Sequence, residues 1–234
     1  MVYNWLEKLR PVLFPTRCRL CLAPGQPHLE LCPACQQELP WLTHCCSRCA
    51  LPLPAETSTT LCSNCQKRPL QLDSCEALFS YQPPVDRWIQ RLKFHQDLNM
   101  ARLLGELLAL KRGQASSESR QIVIPVPLHR QRLAQRGYNQ ALEIIRPLRR
   151  LGYRVETGIC QRLTPTRAQS DLPARARKDN VRFAFSTSKH LDDQKIILVD
   201  DVMTTGATLN ELAGILKHAG ASRVDAHVVA RTVS

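Results

Sequence analysis

Ile196-Ile197-Leu198-Val199-Asp200-Asp201-Val202-Met203-Thr204-Thr205-Gly206-Ala207-Thr208 is the stretch on which the fold turns. Its first four residues are apolar without alternation, the pattern of a strand covered on both faces and hence of a parallel sheet flanked by helices. The strand stops at Asp200 and Asp201, which sit at its carboxyl end, the rim where open α/β sheets bind ligands. A small-residue turn follows, with hydroxyls at Thr204, Thr205 and Thr208 and backbone amides available to an anion. Leu209, Leu212, Ile215 and Leu216 then recur at helical spacing, and Gly220 stands where that helix ends. Thr208 with Glu211 fits a capping box, so the turn feeds a helix amino terminus, whose orphan N–H groups and positive dipole end suit phosphate. Together these features suit a phosphorylated sugar, with carboxylates on its diol and the turn around its phosphate. Glu211 would repel that phosphate unless its side chain folds back or faces away. The competing readings are a Walker B strand or a solvated rim. The first is disfavoured because the 9 glycines form neither GxGxxG nor GxxxxGK.

The chain of 234 residues has room for one α/β domain and a small module, and 44% hydrophobic residues support a core. Its net charge of +12, from 32 basic and 20 acidic residues, favours anionic partners such as nucleic acid or polyphosphates. Near the amino terminus, Trp5, Leu6, Leu9, Leu13 and Phe14 are interrupted by Glu7, Lys8 and Arg10. That is not a signal peptide; it reads as a short packing helix ended by Pro15. No run reaches transmembrane length. The expected compartment is the cytoplasm, where thiols stay reduced and clustered cysteines are metal ligands before they are disulfides.

Eight of the 11 cysteines form four CxxC pairs: Cys18/Cys21, Cys32/Cys35, Cys46/Cys49 and Cys62/Cys65. Two residues between thiolates let one tight turn aim both sulfurs at one ion, and two such knuckles complete a closed structural zinc site. The expectation is a double zinc ribbon with about two structural zinc ions per chain. The spacing leaves open sequential ribbons or an interleaved cross-brace, and Cys45 could replace Cys46. His28 and His44 read as surface histidines, Cys75 and Cys160 as core residues.

Beyond a linker at residues 68–74, residues 75–81 read as a strand stopped by Pro83 and Pro84. Val85, Trp88, Ile89 and Leu92 have helical spacing, and Lys93 at the end of that pattern reads as a solvated lysine rather than a pyrophosphate contact. A second helix spans about 98–110. Residues 121–127 form the next strand, whose end leaves the sheet at Pro125 and Pro127. After it come His129, Arg130, Arg132 and Arg136, either a receiver for pyrophosphate or a solvated basic face. The helix that follows points Ala141, Leu142, Ile145 and Leu148 inward, with a kink at Pro147. A short strand is expected at 154–159, and further strands at 181–185 and 223–233. Between them, residues 164–180 carry Arg167, Gln169, Arg175, Arg177 and Lys178, a composition suited to a lid over a polyanion or to a linker.

The apolar strand, acid pair and Thr-Thr-Gly-Ala-Thr turn resemble the ribose-phosphate signature of type I phosphoribosyltransferases. Taken with the CxxC pairs, IPVPLHRQRLAQRGYNQ, TPTRAQSDL and RKDNVRFAF, the chain is similar to the ComF/GntX family from Cys18 to Val233. The resemblance implies an α/β fold with an open, mostly parallel sheet and flanking helices, preceded by the double zinc ribbon. The expected boundaries are 1–17 for a helical segment, 18–70 for the ribbons and 71–234 for the phosphoribosyltransferase-like domain. It implies that phosphoribosyl pyrophosphate (PRPP) binds with magnesium: Asp200 and Asp201 on the ribose diol, Thr204, Thr205, Gly206, Ala207 and Thr208 on the 5-phosphate. Val126, Pro127, Leu128 and His129 would form the pyrophosphate loop, with the lid residues above them. Purine phosphoribosyltransferases carry an aspartate base at the place of Thr204; threonine cannot act as that base.

The family is tied to competence and the use of external DNA, which implies single-stranded DNA and other DNA-uptake proteins as partners. Two functions stay open: PRPP-dependent transfer to an unidentified acceptor, and a DNA-binding module for which PRPP is only a ligand. Trp41, Tyr138 and Trp88 are the candidate base-stacking aromatics.

Overall fold

The computed structural model describes residues 16–113, 121–164 and 184–233. The chain forms two compact units that divide between Pro40 and Trp41. In the first, the Cys18 amide bonds the Ala23 carbonyl and the Leu22 amide bonds the Cys18 carbonyl, closing a knuckle around Cys18 and Cys21. The second knuckle opens α1 (Pro33–Gln37), where Cys32 is the N-cap and its sulfur accepts from the Cys35 amide. Leu29, Leu31 and Leu39 are buried beside these turns. Residues 1–15, where the sequence predicts a packing helix, lie outside the described residues.

The second unit opens with the same device. The Cys46 amide bonds the Leu51 carbonyl and the Ala50 amide bonds the Cys46 carbonyl. Leu22 and Ala50, four residues after the first cysteine of each knuckle, both have positive φ, 64° and 53°. Cys62 then precedes α2 (Ser63–Lys67), as Cys32 precedes α1.

The main sheet contains β1 (Ser74–Ser80), β2 (Gln121–Pro125), β3 (Arg154–Val155), β6 (Lys195–Met203) and β7 (Arg223–Arg231) in the order β1-β7-β6-β2-β3, every pair parallel. β4 (Gln161–Arg162) and β5 (Phe185–Ser186) pair antiparallel in a separate two-stranded sheet. The strand expected at 154–159 therefore shrinks to two residues. The one expected at 181–185 joins β4 rather than the main sheet, and residues 181–183 lie outside the described residues. Pro125 closes β2 where its β3 neighbour has already ended, the register there reaching only Ile122 and Val123, so its missing N–H leaves no ladder bond unmade.

Helices α3 (Val85–Phe94) and α4 (Leu98–Arg112) follow β1; α5 (Arg130–Arg136) and α6 (Gln140–Arg150) follow β2; α7 (Ala207–His218) links β6 to β7. In α6 the buried side chains include Ala141, Ile144, Ile145 and Leu148, while Leu142 is half-buried rather than inward. The α4–α6 contact depends on Gly105, where a Cβ would lie 2.3 Å from the Ile144 carbonyl oxygen. One core joins Ile122, Ile124, Ile196, Leu198, Val224, Ala226 and Val228 of the sheet to Leu209, Leu212 and Leu216 of α7 and to Cys46, Cys49, Cys62 and Cys65. The second tetrad is thus built into the core that carries the sheet. Cys75 and Cys160 are buried, as expected. Among the described residues no helix is long and apolar enough to cross a membrane.

Candidate functional site

The eight paired cysteines gather into two tetrads, Cys18/Cys21/Cys32/Cys35 and Cys46/Cys49/Cys62/Cys65, each with its sulfurs within 4.8 Å of one another. The pairing is sequential and not a cross-brace, and Cys46 rather than Cys45 belongs to the second set. Ligand sulfurs at about 2.3 Å from a tetrahedral zinc stand about 3.8 Å apart. Cys21 and Cys32 are 3.6 Å apart and Cys49 and Cys62 are 3.7 Å apart.

Burial opposes ionising Cys18, yet the backbone amides of Cys21, Cys32 and Leu20 outweigh it and bring the thiol down to about 6. Cys46 comes down to about 7 in the same way, through the amides of Cys62, Arg48 and Cys49. Burial and the neighbouring Cys49 sulfur push Cys65 up, as the Cys21 and Cys32 sulfurs do Cys35. Four crowded thiols, some ready to ionise and others held back by those that have, call for a dication. Zinc bound there would supply folding energy to modules too small to hold a core of their own. His44 bonds the Pro54 carbonyl and no tetrad includes a histidine.

At the carboxyl rim of the sheet, β6 runs on through both acids to Met203, because its pairing with β7 continues to Arg231. The acids lie within the strand rather than beyond it, and successive strand residues face opposite sides. Asp201 is 6% exposed, and Lys93 Nζ, at the end of α3, lies 2.8 Å from its Oδ1. Lys93 is therefore an ion-pair partner of the acid motif and not a solvated helix lysine. Asp200, half-buried, accepts from the Asp201 amide at 2.9 Å. Burial and then the charge of Asp201 push its carboxyl up to about 7, against the opposing charges of Lys93 and Arg162.

Arg162 of β4, which local pattern did not single out, has its guanidinium carbon 5.2 Å from the Phe185 ring centroid. Burial and the charge of Arg132 lower its pKa while Asp200 raises it. Arg162 thus brings positive charge to Asp200 from a second element, alongside Lys93 of α3.

The turn after β6 differs from a capping box. Gly206, with φ +77°, is the N-cap of α7 and makes no side-chain cap; Thr208 lies inside the helix. Thr205 Oγ1 accepts from the Ala207 amide at 3.3 Å. Among the described residues the amides of Thr205 and Gly206 meet no protein acceptor, leaving two donors at the mouth of a three-turn helix.

On the β2 side, the Val126 amide bonds the Val199 carbonyl at 2.9 Å, and Asn139 Nδ2 donates to the Val126 carbonyl at 3.0 Å while its Oδ1 caps α6. Pro127 and Leu128 continue the loop, and His129 Nδ1 accepts from the Gln131 amide as N-cap of α5. α5 buries none of its residues. Gln140, 2% exposed, keeps its side-chain Nε2 without a partner among the described residues.

Two of the candidate stacking aromatics are committed elsewhere. Trp88 is 5% exposed, and the Tyr138 hydroxyl donates to the Leu92 carbonyl. Trp41 packs on Phe79 with ring centroids 4.6 Å apart. Arg167, Gln169, Arg175, Arg177 and Lys178, the expected lid, lie outside the described residues. A cavity of about 460 Å³ lined by Lys189, His190 and His218 includes none of the rim residues.

Paired cysteine knuckles and a parallel sheet whose acid-bearing strand feeds a hydroxyl-lined turn define a zinc-ribbon protein with a phosphoribosyltransferase fold. Residues 9–76 match the double zinc ribbon domain and residues 153–233 the phosphoribosyl transferase domain. The chain is 32% identical over 221 residues to DNA utilization protein YhgH of Escherichia coli O6:H1, covering 92% of this chain and 96% of that one. It is 32% identical over 232 residues to Competence protein F of Haemophilus influenzae, covering 93% and 98%. With Competence protein ComFC of Bacillus subtilis it shares 23% over 206 residues, covering 83% and 81%. The chain belongs to the ComF/GntX family that these proteins represent.

Proposed function

We propose that this protein binds PRPP with magnesium at the rim of β6 and acts in DNA uptake and utilization in the cytoplasm, binding single-stranded DNA. The observation that carries the ligand is the join between β6 and α7: Asp200 and Asp201 lie next to a turn whose Thr205 and Gly206 amides meet no protein acceptor among the described residues. In this reading the acids take the ribose diol and residues 204–208 the 5-phosphate. Val126, Pro127, Leu128 and His129 take the pyrophosphate, helped by Arg132 and Arg162, whose guanidinium groups suit phosphate oxygens. Magnesium, if bound with the ligand, would offset the charge of the pyrophosphate while taking few ligands from the protein. The biological role is supported by the names its relatives bear and by a net charge of +12, and the binding of DNA should weaken steeply with salt.

Transfer of the ribosyl group to an acceptor is the second reading, and Asp200 bears on it: burial and then the Asp201 charge raise its carboxyl to about 7, which would let it hold or release a proton near neutral pH. Titration with magnesium-PRPP tests the site. Saturable binding by the wild type is expected, with loss in Asp200→Asn/Asp201→Asn while both zinc ions are retained; unchanged affinity in that variant overturns the assignment. A screen for pyrophosphate release over nucleobases and DNA separates the two readings, sustained turnover deciding for transfer.

A further inference from the structure

Arg231, the last residue of β7, is 6% exposed. Its Nε donates to the Cys49 carbonyl at 2.9 Å. Its Nη1 lies 2.6 Å from the Thr204 carbonyl, near that of Thr232 as well, and 3.2 Å from that of Met203. With two hydrogens on Nη1, the nearer oxygens of Thr204 and Thr232 take them. No carboxylate pairs with this guanidinium among the described residues. A buried cation without a carboxylate needs negative charge from another source. A zinc ion held by four thiolates carries a net charge of about −2, and the Cys49 sulfur is one of the four.

The bond to Thr204 bears on the turn itself. In a trans peptide the C=O and the following N–H point in opposite directions. Drawing the Thr204 carbonyl toward Arg231 therefore turns the Thr205 N–H away from the interior, and that amide meets no protein acceptor. One side chain thus fixes the carbonyl of a metal-ligand residue at one end and the orientation of the anion-facing peptide at the other.

We propose that Arg231 is a positioning residue that couples the second metal centre to the anion-binding turn, so that zinc at Cys46/Cys49/Cys62/Cys65 and a phosphate ligand at residues 204–208 each favour the other. Such coupling is reciprocal, and a typical strength is about tenfold in affinity. That the ligand is a ribose phosphate rests on the function proposed above; the coupling to the turn does not.

Arg231→Lys tests it. Lysine keeps the charge and the fold but cannot reach the Cys49 and Thr204 carbonyls together. In the zinc-loaded full chain, the Thr205 and Gly206 amide resonances are expected to move in the variant, with hydrogen exchange in the middle of β6 unchanged. Magnesium-PRPP should slow chelator-driven zinc loss from one of the two sites about tenfold in wild type and leave it unchanged in Arg231→Lys. Turn amide resonances that coincide in the two proteins, or zinc loss slowed equally in both, overturn the coupling. If wild type binds no PRPP, the same zinc-loss comparison with inorganic phosphate decides: slowing in wild type alone leaves the coupling standing without the ribose-phosphate reading, and no slowing overturns it.

Discussion

Lys93 Nζ and Asp201 Oδ1, brought together from α3 and β6, form an ion pair 2.8 Å long whose side chains are 26% and 9% exposed. A diol reaching Asp201 has to share it with this ammonium or draw Lys93 onto its own phosphates. Removing one member of a fully buried pair costs about 3–5 kcal/mol, and less where one side meets water. Lys93→Met is expected to destabilise the chain by about 1–3 kcal/mol. Adding Asp201→Asn should recover most of that loss. Urea denaturation of the four proteins of this cycle gives the coupling, and additive losses would show that the pair contributes nothing.

Asp200 makes stability fall with rising pH. Burial first, and then the Asp201 charge, push its carboxyl up to about 7, against about 3.9 in an unfolded chain. Between those values the folded state holds a proton that the unfolded state has released. Stability therefore declines as pH climbs through that window and levels off above about 7. Asp200→Asn should match wild type near pH 4 and exceed it by about 1–3 kcal/mol at pH 8. Melting temperatures across this range check it; a difference that does not change with pH would show that Asp200 does not titrate there.

Cys45 and Cys46 separate a bystander from a ligand. Burial, and then the charge of Cys46, raise the Cys45 thiol, and its sulfur lies outside both tetrads. Cys45→Ser is expected to keep two zinc ions per chain by native mass spectrometry, and Cys46→Ser to keep one. Because Cys46 shares its core with Ile196 and Leu198, the second change should also lower the melting temperature of the sheet. Equal zinc content in both variants would reverse the ligand assignment.

How much was legible depended on how local the cause was. β6 showed itself because Ile196 to Val199 lack alternation, and α3 because Val85, Trp88, Ile89 and Leu92 repeat at helical spacing. The tetrads were visible from CxxC spacing, while their sequential pairing is a three-dimensional fact. Asp200 and Asp201 looked like residues beyond a strand, since nothing local reports that β7 keeps pairing as far as Met203 and Arg231. Lys93 and Arg162 lie on a surface-looking helix and a two-residue strand, and long-range neighbours give them their setting. The capping box failed because Gly206 in the left-handed region starts α7 without a side chain, leaving Thr208 inside it.

Gly206 should be the least replaceable residue of the turn. Its φ of +77° is strained for any side chain, and an added Cβ would lie 2.4 Å from Met203 Cε. Met203 has little room to yield, being 1% exposed and 3.4 Å from the Cys75 sulfur. Gly206→Ala is expected to destabilise the chain by about 1–3 kcal/mol. PRPP affinity should fall further than stability does, because twisting residue 206 turns the two open amides off the ligand. Shortening the neighbour in Gly206→Ala/Met203→Ala relieves the clash but not the φ, so stability should move relative to Gly206→Ala while affinity stays low. Denaturation midpoints with magnesium-PRPP titrations on the same samples distinguish the two effects, and recovery of affinity in the double variant would mean that crowding, not backbone conformation, is what the glycine avoids.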